Sequence, residues 1–280
     1  MLDRRTFIAA IGGSALAAVG WSKAGSIKVG VCTRDVAGAV KYGFDYIEPA
    51  AADIAAMSDE DFQRYSDQVL SSSIRCEAFN SFIRRPELKV VGNNVPGTAL
   101  SDYVDSCLSR CRKLGASIVV WGSAGSRQVP EGFSRERAKQ QIAEFLQMAG
   151  EIGSRHKIVI AIEPLRRQES NILNTGSEAV EMVHQVNHPS VRTMIDYFHL
   201  RQENEDSRIL ETAAHEIVHL HFANSRGRVW PHDLSEDDGY EPFFRGMKAS
   251  GYSQRISIEG SGSFEVDGGR SRTFFRNALA

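Results

Sequence analysis

From about residue 26 onward the chain alternates short, almost wholly apolar runs with longer amphipathic stretches. A short run rich in β-branched residues predicts a buried strand, and apolar positions three and four apart predict a helix packed by one face. Strands are expected at 26–32, 44–48, 74–79, 117–121, 158–163, 192–196, 218–221 and 255–259. Helical stretches at 37–42, 59–72, 101–114, 134–154, 177–186, 207–216 and 242–250 fall one between each pair. Gly115 marks a helix end and Ser134 a helix N-cap. Strict alternation predicts a parallel sheet, and eight units in one α/β chain of 280 residues predict closure into a single (β/α)8 TIM barrel. An open doubly wound sheet fits less well, because Val31-Cys32-Thr33-Arg34 stands where a glycine-rich phosphate loop would follow the first strand.

Four successive strand-like runs close on a metal-ligating residue: Glu163, Asp196, His221 and Glu259. An acid at the edge of an apolar layer needs a partner, so each alone reads equally as one half of an ion pair. In a barrel all strand C-terminal ends face one mouth, so four in series predict a metal site there. Three carboxylates and one imidazole make a hard, oxygen-rich set for one divalent ion, Mn²⁺ first, with Mg²⁺, Co²⁺ or Zn²⁺ as alternatives. Such an ion would favour proton removal beside a carbonyl to give an enediolate, and two of the glutamates, on different strands, would serve as general base and acid.

Charge and leader narrow the partners. With 33 basic and 35 acidic residues there is no basic excess to recruit nucleic acid. Asp3-Arg4-Arg5-Thr6-Phe7 precedes an apolar run over 7–21 that is too short and too rich in Gly and Ala to span a membrane. Residues 1–24 therefore read as a twin-arginine export signal, with an uncleaved N-terminal arm as the other reading. The barrel is then 25–280, its net charge moves from −2 to −4, and a periplasmic product with no stable membrane anchor is expected. Cys32, Cys76, Cys107 and Cys111 lack both disulfide and zinc-site spacing and read as free thiols. Glu48, Asn80 and Trp121 stand at strand ends, where pocket lining and packing are both open, and His219 shares a strand face with His221.

The motifs IEPLRRQESN, IDYFHL, HLHFANSRGRVWP and SIEG, in this order, resemble those of the xylose isomerase-like barrel superfamily, in its sugar phosphate isomerase/epimerase group related to the ketose 3-epimerases. The likeness runs from about Ile27 to Glu259. It implies Glu163, Asp196, His221 and Glu259 as metal ligands and Glu163 with Glu259 as the catalytic acid/base pair. It also implies substrate contacts from Glu169, from His199 and from an arginine after the H-x-H motif, where Arg228 matches better than Arg226. The activity implied is metal-dependent isomerisation or epimerisation of a small carbohydrate. Export favours a free or glycosidic sugar. The alternatives are a lyase or hydrolase on 3-keto sugars, an abasic-site endonuclease, and a non-catalytic periplasmic sugar-binding barrel. A homo-oligomer is left open.

Overall fold

The computed structural model describes residues 27–280; residues 1–24, expected to be an export signal, lie outside them. Eight strands are present: β1 (Lys28–Val31), β2 (Tyr46–Ile47), β3 (Ala78–Phe79), β4 (Ile118–Trp121), β5 (Val159–Ile162), β6 (Val191–Asp196), β7 (Ile217–Phe222) and β8 (Arg255–Ile258). All neighbours pair in parallel, in the order β2-β1-β8-β7-β6-β5-β4-β3. The remaining gap between β2 and β3 is bridged by loop backbone. The Ile47 amide donates to the Arg75 carbonyl at 3.1 Å, that of Asn80 to Pro49 at 3.1 Å, and that of Ala51 to Asn80 at 2.8 Å. The result is a nearly closed (β/α)8 barrel.

The two-residue period of each strand sorts its side chains between lumen and outer layer. Tyr46, Ala78, Ile118, Val120, Ala161 and Met194 form the lumen cluster, while Val119, Trp121, Ile160, Ile162, Leu220 and Phe222 belong to the core between strands and helices. Glu163 lies two residues after Ala161 and Asp196 two after Met194, so both carry the inward parity past the strand end. On β7 the register shifts: Thr193 pairs with Ile217 and Met194 with His219, leaving Val218 as the extra residue. That irregularity precedes the alternation in which His219 and His221 are set against outward Leu220 and Phe222.

Outside the lumen, the helix Arg135–His156 begins at Ser134, whose hydroxyl accepts from the Arg137 amide at 3.2 Å, and Gly115 adopts φ +111° after the helix Gly97–Lys113. Behind β7, Phe222 packs among Tyr197, Tyr240, Phe243 and Phe274, the last from the C-terminal helix Gly269–Ala278. All four cysteines are free, three of them buried. No helix among the described residues is long and apolar enough to cross a membrane.

Candidate active site

The four strand-end residues converge. One donor atom from each of Glu163, Asp196, His221 and Glu259 lies within 4.8 Å of the others. Donors about 2.1 Å from a shared centre stand at most about 4.2 Å apart, so adjustments of a few tenths of an ångström would bring these four onto one cation. His221 turns Nδ1 toward the group, 3.3 Å from Glu163 Oε1 and 3.2 Å from Glu259 Oε2. Three carboxylates without a thiolate suit a hard divalent ion, as their chemistry predicts.

Neighbouring elements fix these side chains. Asp196 caps the short helix Tyr197–Gln202 that follows β6, its Oδ1 accepting from the Phe198 amide at 2.7 Å. Glu163 fills space that only glycine leaves open, since a Cβ on Gly122 would lie 1.7 Å from Glu163 Oε2. Gly122→Ala is therefore expected to displace the Glu163 carboxylate and cost about 10²-fold in activity, with weaker metal binding; kinetics and a metal titration check it. Arg127, fully buried, donates to the carbonyls of Trp121 at 3.1 Å and Glu163 at 2.7 Å and stacks on the Trp121 ring, tying the ends of β4 and β5 together. Burial lowers its pKa to about 10. Asn80 donates to Glu259 Oε1 at 3.3 Å, so it faces the site, whereas Trp121 packs outward and donates to Ser126 Oγ.

Residues 36–271 match the family described as Xylose isomerase-like TIM barrel. The chain belongs to that family. It is 27% identical over 269 residues to an L-ribulose 3-epimerase of a Methylomonas species, a match covering 94% of this chain and 88% of that protein. To a D-psicose 3-epimerase of Ruminiclostridium cellulolyticum it is 26% identical over 227 residues, 73% of this chain and 76% of the other. Among solved structures, 3-keto-D-glucoside 4-epimerase from E. coli superposes with a TM-score of 0.76 at 15% identity, covering 90% of this chain and all of that one, a likeness of fold. Similarity to proteins named epimerases and isomerases supports an enzyme of the isomerase class.

On this family barrel the expected substrate residues ring the same point. Arg228 Nη2 lies 2.5 Å from Glu259 Oε2 and 3.2 Å from Asp196 Oδ2, and its Nη1 3.7 Å from Glu169 Oε1. Its backbone is left-handed, φ +51°, a conformation that costs a side-chain-bearing residue energy and is held here with the guanidinium directed inward. Arg226, two residues earlier, is exposed. His199 Nε2 stands 3.6 Å from Asp196 Oδ2, while its Nδ1 accepts from the Arg166 amide at 3.3 Å. Glu163, Glu169, His199, Arg228 and Glu259 line a cavity of about 510 Å³ whose far wall is the 81–89 loop and the turn at 122–126. Asp196 and His221 are buried behind them.

The charges perturb one another. Burial, reinforced by the Glu259 carboxylate, raises Glu163. Burial likewise raises Asp196 to about 6, against the pull of Arg228. Burial opposes ionisation of Glu259 too, but His221 and Arg228 beside it hold its pKa down to about 2. Environments that push two carboxyls in opposite directions are the setting for an acid and a base side by side. Burial lowers His199, which favours a neutral imidazole; with Nδ1 accepting from the Arg166 amide the proton sits on Nε2, which can donate to a substrate oxygen.

Sequence reasoning left Glu48 between pocket lining and packing, read His219 as a core histidine or as an orienter of His221, and gave Arg127 no role. The signal for Glu48 was available, because it follows lumen residue Tyr46 by two positions just as Glu163 follows Ala161. β3 runs into Asn80 and β4 ends on Trp121, an amide and an indole where the abasic-site endonuclease reading calls for histidines.

Proposed function

We propose that this protein is a divalent-metal-dependent sugar isomerase or epimerase that moves a proton through an enediolate on a free or glycosidic sugar. The observation that carries the reading is the convergence of two carboxylates of opposite pKa tendency, Glu163 and Glu259, with Asp196 and His221 at one mouth that opens into a sugar-sized or larger cavity. The names of the relatives support the same class. Glu163, Asp196, His221 and Glu259 would hold the cation, with Mn²⁺ the first expectation. When bound, it supplies Lewis-acid polarisation of the substrate carbonyl and neutralises developing charge. One glutamate takes the proton from the carbon beside the carbonyl. The other returns a proton, to the opposite face for epimerisation or to the neighbouring carbon for isomerisation. Neutral His199 and Glu169 meet substrate hydroxyls, and Arg228 donates to substrate oxygen while balancing the carboxylates.

Arg228→Ala is expected to raise KM and lower kcat together, whereas Arg226→Ala, on the exposed side of the same loop, leaves both within about twofold in steady-state kinetics. The reading as a whole is tested by incubating the protein with Mn²⁺ and a panel of ketoses, aldoses and 3-keto sugars in deuterated water, followed by NMR. Deuterium beside the carbonyl with a new epimer or isomer supports it. Cleavage of a glycosidic bond, or no exchange with any sugar, overturns it. Export to the periplasm belongs to the same proposal and rests on the leader segment at 1–24; cell fractionation that finds the protein in the cytoplasm removes it.

A further inference from the structure

One buried carboxylate at the base of the site takes no part in the proton transfer. Glu48 Oε1 accepts from His221 Nε2 at 2.8 Å, and its Oε2 accepts from His219 Nε2 at 2.8 Å and from Ser257 Oγ at 2.5 Å. Ser257 Oγ lies 2.6 Å from the Tyr46 hydroxyl. All five side chains are fully buried. Tyr46 reaches across because residue 30 is glycine: a Cβ there would sit 2.4 Å from the Tyr46 ring.

An ionised carboxylate has acceptors only, so both imidazoles must present N–H to Glu48. For His219 this leaves Nδ1, which has no partner among the described residues, as a bare lone pair. For His221 it fixes the proton on Nε2 and turns Nδ1 to Glu163 and Glu259. Cys32 Sγ is also near, 4.0 Å from His221 Nε2, and Cys32, Glu48 and His221 lie close enough to hold an ion of their own. The 2.8 Å hydrogen bond to Glu48 already occupies Nε2, so the contact reads as orientation of the imidazole.

We propose that Glu48, held by His219, Ser257 and Tyr46, is a positioning residue that sets the tautomer and ring plane of His221 and so presents Nδ1 as a ready ligand to a divalent cation. The inference rests on the reading that the quartet binds such a cation. A partner of this kind orients the ligand and raises its basicity, and its loss weakens metal binding by about 10–100-fold.

The test is calorimetric titration of the metal-free full chain with Mn²⁺, together with the visible absorption spectrum of the Co²⁺-loaded protein and a melting curve as the folding control. Glu48→Gln keeps the shape but must direct an N–H at one of its donors. It is expected to raise the Mn²⁺ dissociation constant about 10–100-fold and to change the Co²⁺ ligand-field bands, with Glu48→Asp recovering part of the affinity. If folded Glu48→Gln binds Mn²⁺ as the parent does with an unaltered Co²⁺ spectrum, the proposal is overturned. Should Glu48→Gln fail to fold, Ser257→Ala, which removes one of the two donors to Oε2 while keeping the charge, decides: weaker Mn²⁺ binding supports the proposal and unchanged binding overturns it. A parent chain that binds neither Mn²⁺ nor Co²⁺ sinks the metal reading itself, a result distinct from an insensitive Glu48 variant.

Discussion

Glu259→Gln is expected to lower net epimerisation or isomerisation by about 10²–10⁴-fold, the range that a positioned general acid or base contributes. Two effects must be separated, because Glu259 is proposed both as ligand and as proton carrier. Metal content measured on the purified variant, and kinetics at saturating Mn²⁺, isolate the second. Glutamine keeps one oxygen, for the cation or for the Asn80 amide that stands 3.3 Å from Oε1, and it has no basic oxygen to take a proton, so the metal content has to be measured and not assumed. If Glu163 and Glu259 address opposite faces of the reacting carbon, each variant loses net turnover and still exchanges deuterium from one epimer only. Glu163→Gln is then expected to exchange from the other epimer, as read by NMR on each pure epimer. Equal residual exchange from both epimers in both variants would rule out a two-carboxylate proton shuttle.

The strand ends were legible because each follows a run whose inward parity is set by burial alone. Ala161 and Met194 must pack in the lumen, so residues two positions on point the same way, and an acid there has little to do but meet a counter-charge or a cation. The weaker elements were harder to bound. β2 and β3 are two residues each, and closure between them runs through loop backbone at Ala50 and Asn80, a hydrogen-bond pattern with no side-chain signature. The expected helix at 207–216 is only Ile209–Thr212, while Tyr197–Gln202 is helical because Asp196 caps it. That capping role of Asp196 is invisible to composition. The resemblance already preferred Arg228 to Arg226, and the left-handed turn after Gly227 supplies the physical reason; the Glu48 pair with His219 depends on the β7 irregularity that sets both histidines in the lumen.

Removing the metal is expected to abolish turnover and to lower the melting temperature. A ligand at 100 times its dissociation constant contributes about 2.7 kcal/mol to stability, which for a chain of this size corresponds to roughly 5–11 °C. The loss should depend on pH in a defined direction. Asp196 is buried with its pKa raised to about 6, above the ordinary value near 3.9, so the folded metal-free protein holds this proton more tightly than the unfolded chain. Its contribution is therefore fully present below about pH 4 and is lost as pH rises toward 6, by an amount on the order of 3 kcal/mol. Glu259 acts in the opposite sense: with its folded pKa held down to about 2, it contributes above about pH 4.3 and loses that contribution as pH falls. Between pH 4 and 6 the Asp196 decline thus stands apart from the Glu259 window. A cation coordinated by ionised Asp196 replaces the favoured proton with a stronger counter-charge, so the Mn²⁺-loaded protein is expected to hold or gain stability over the same interval. Scanning calorimetry from pH 4 to 7, with and without Mn²⁺, measures both curves. In Asp196→Asn, which cannot ionise, the metal-free decline attributed to this carboxylate should vanish together with most of the Mn²⁺-induced stabilisation. Parallel curves with and without Mn²⁺ would place the cation somewhere other than against Asp196.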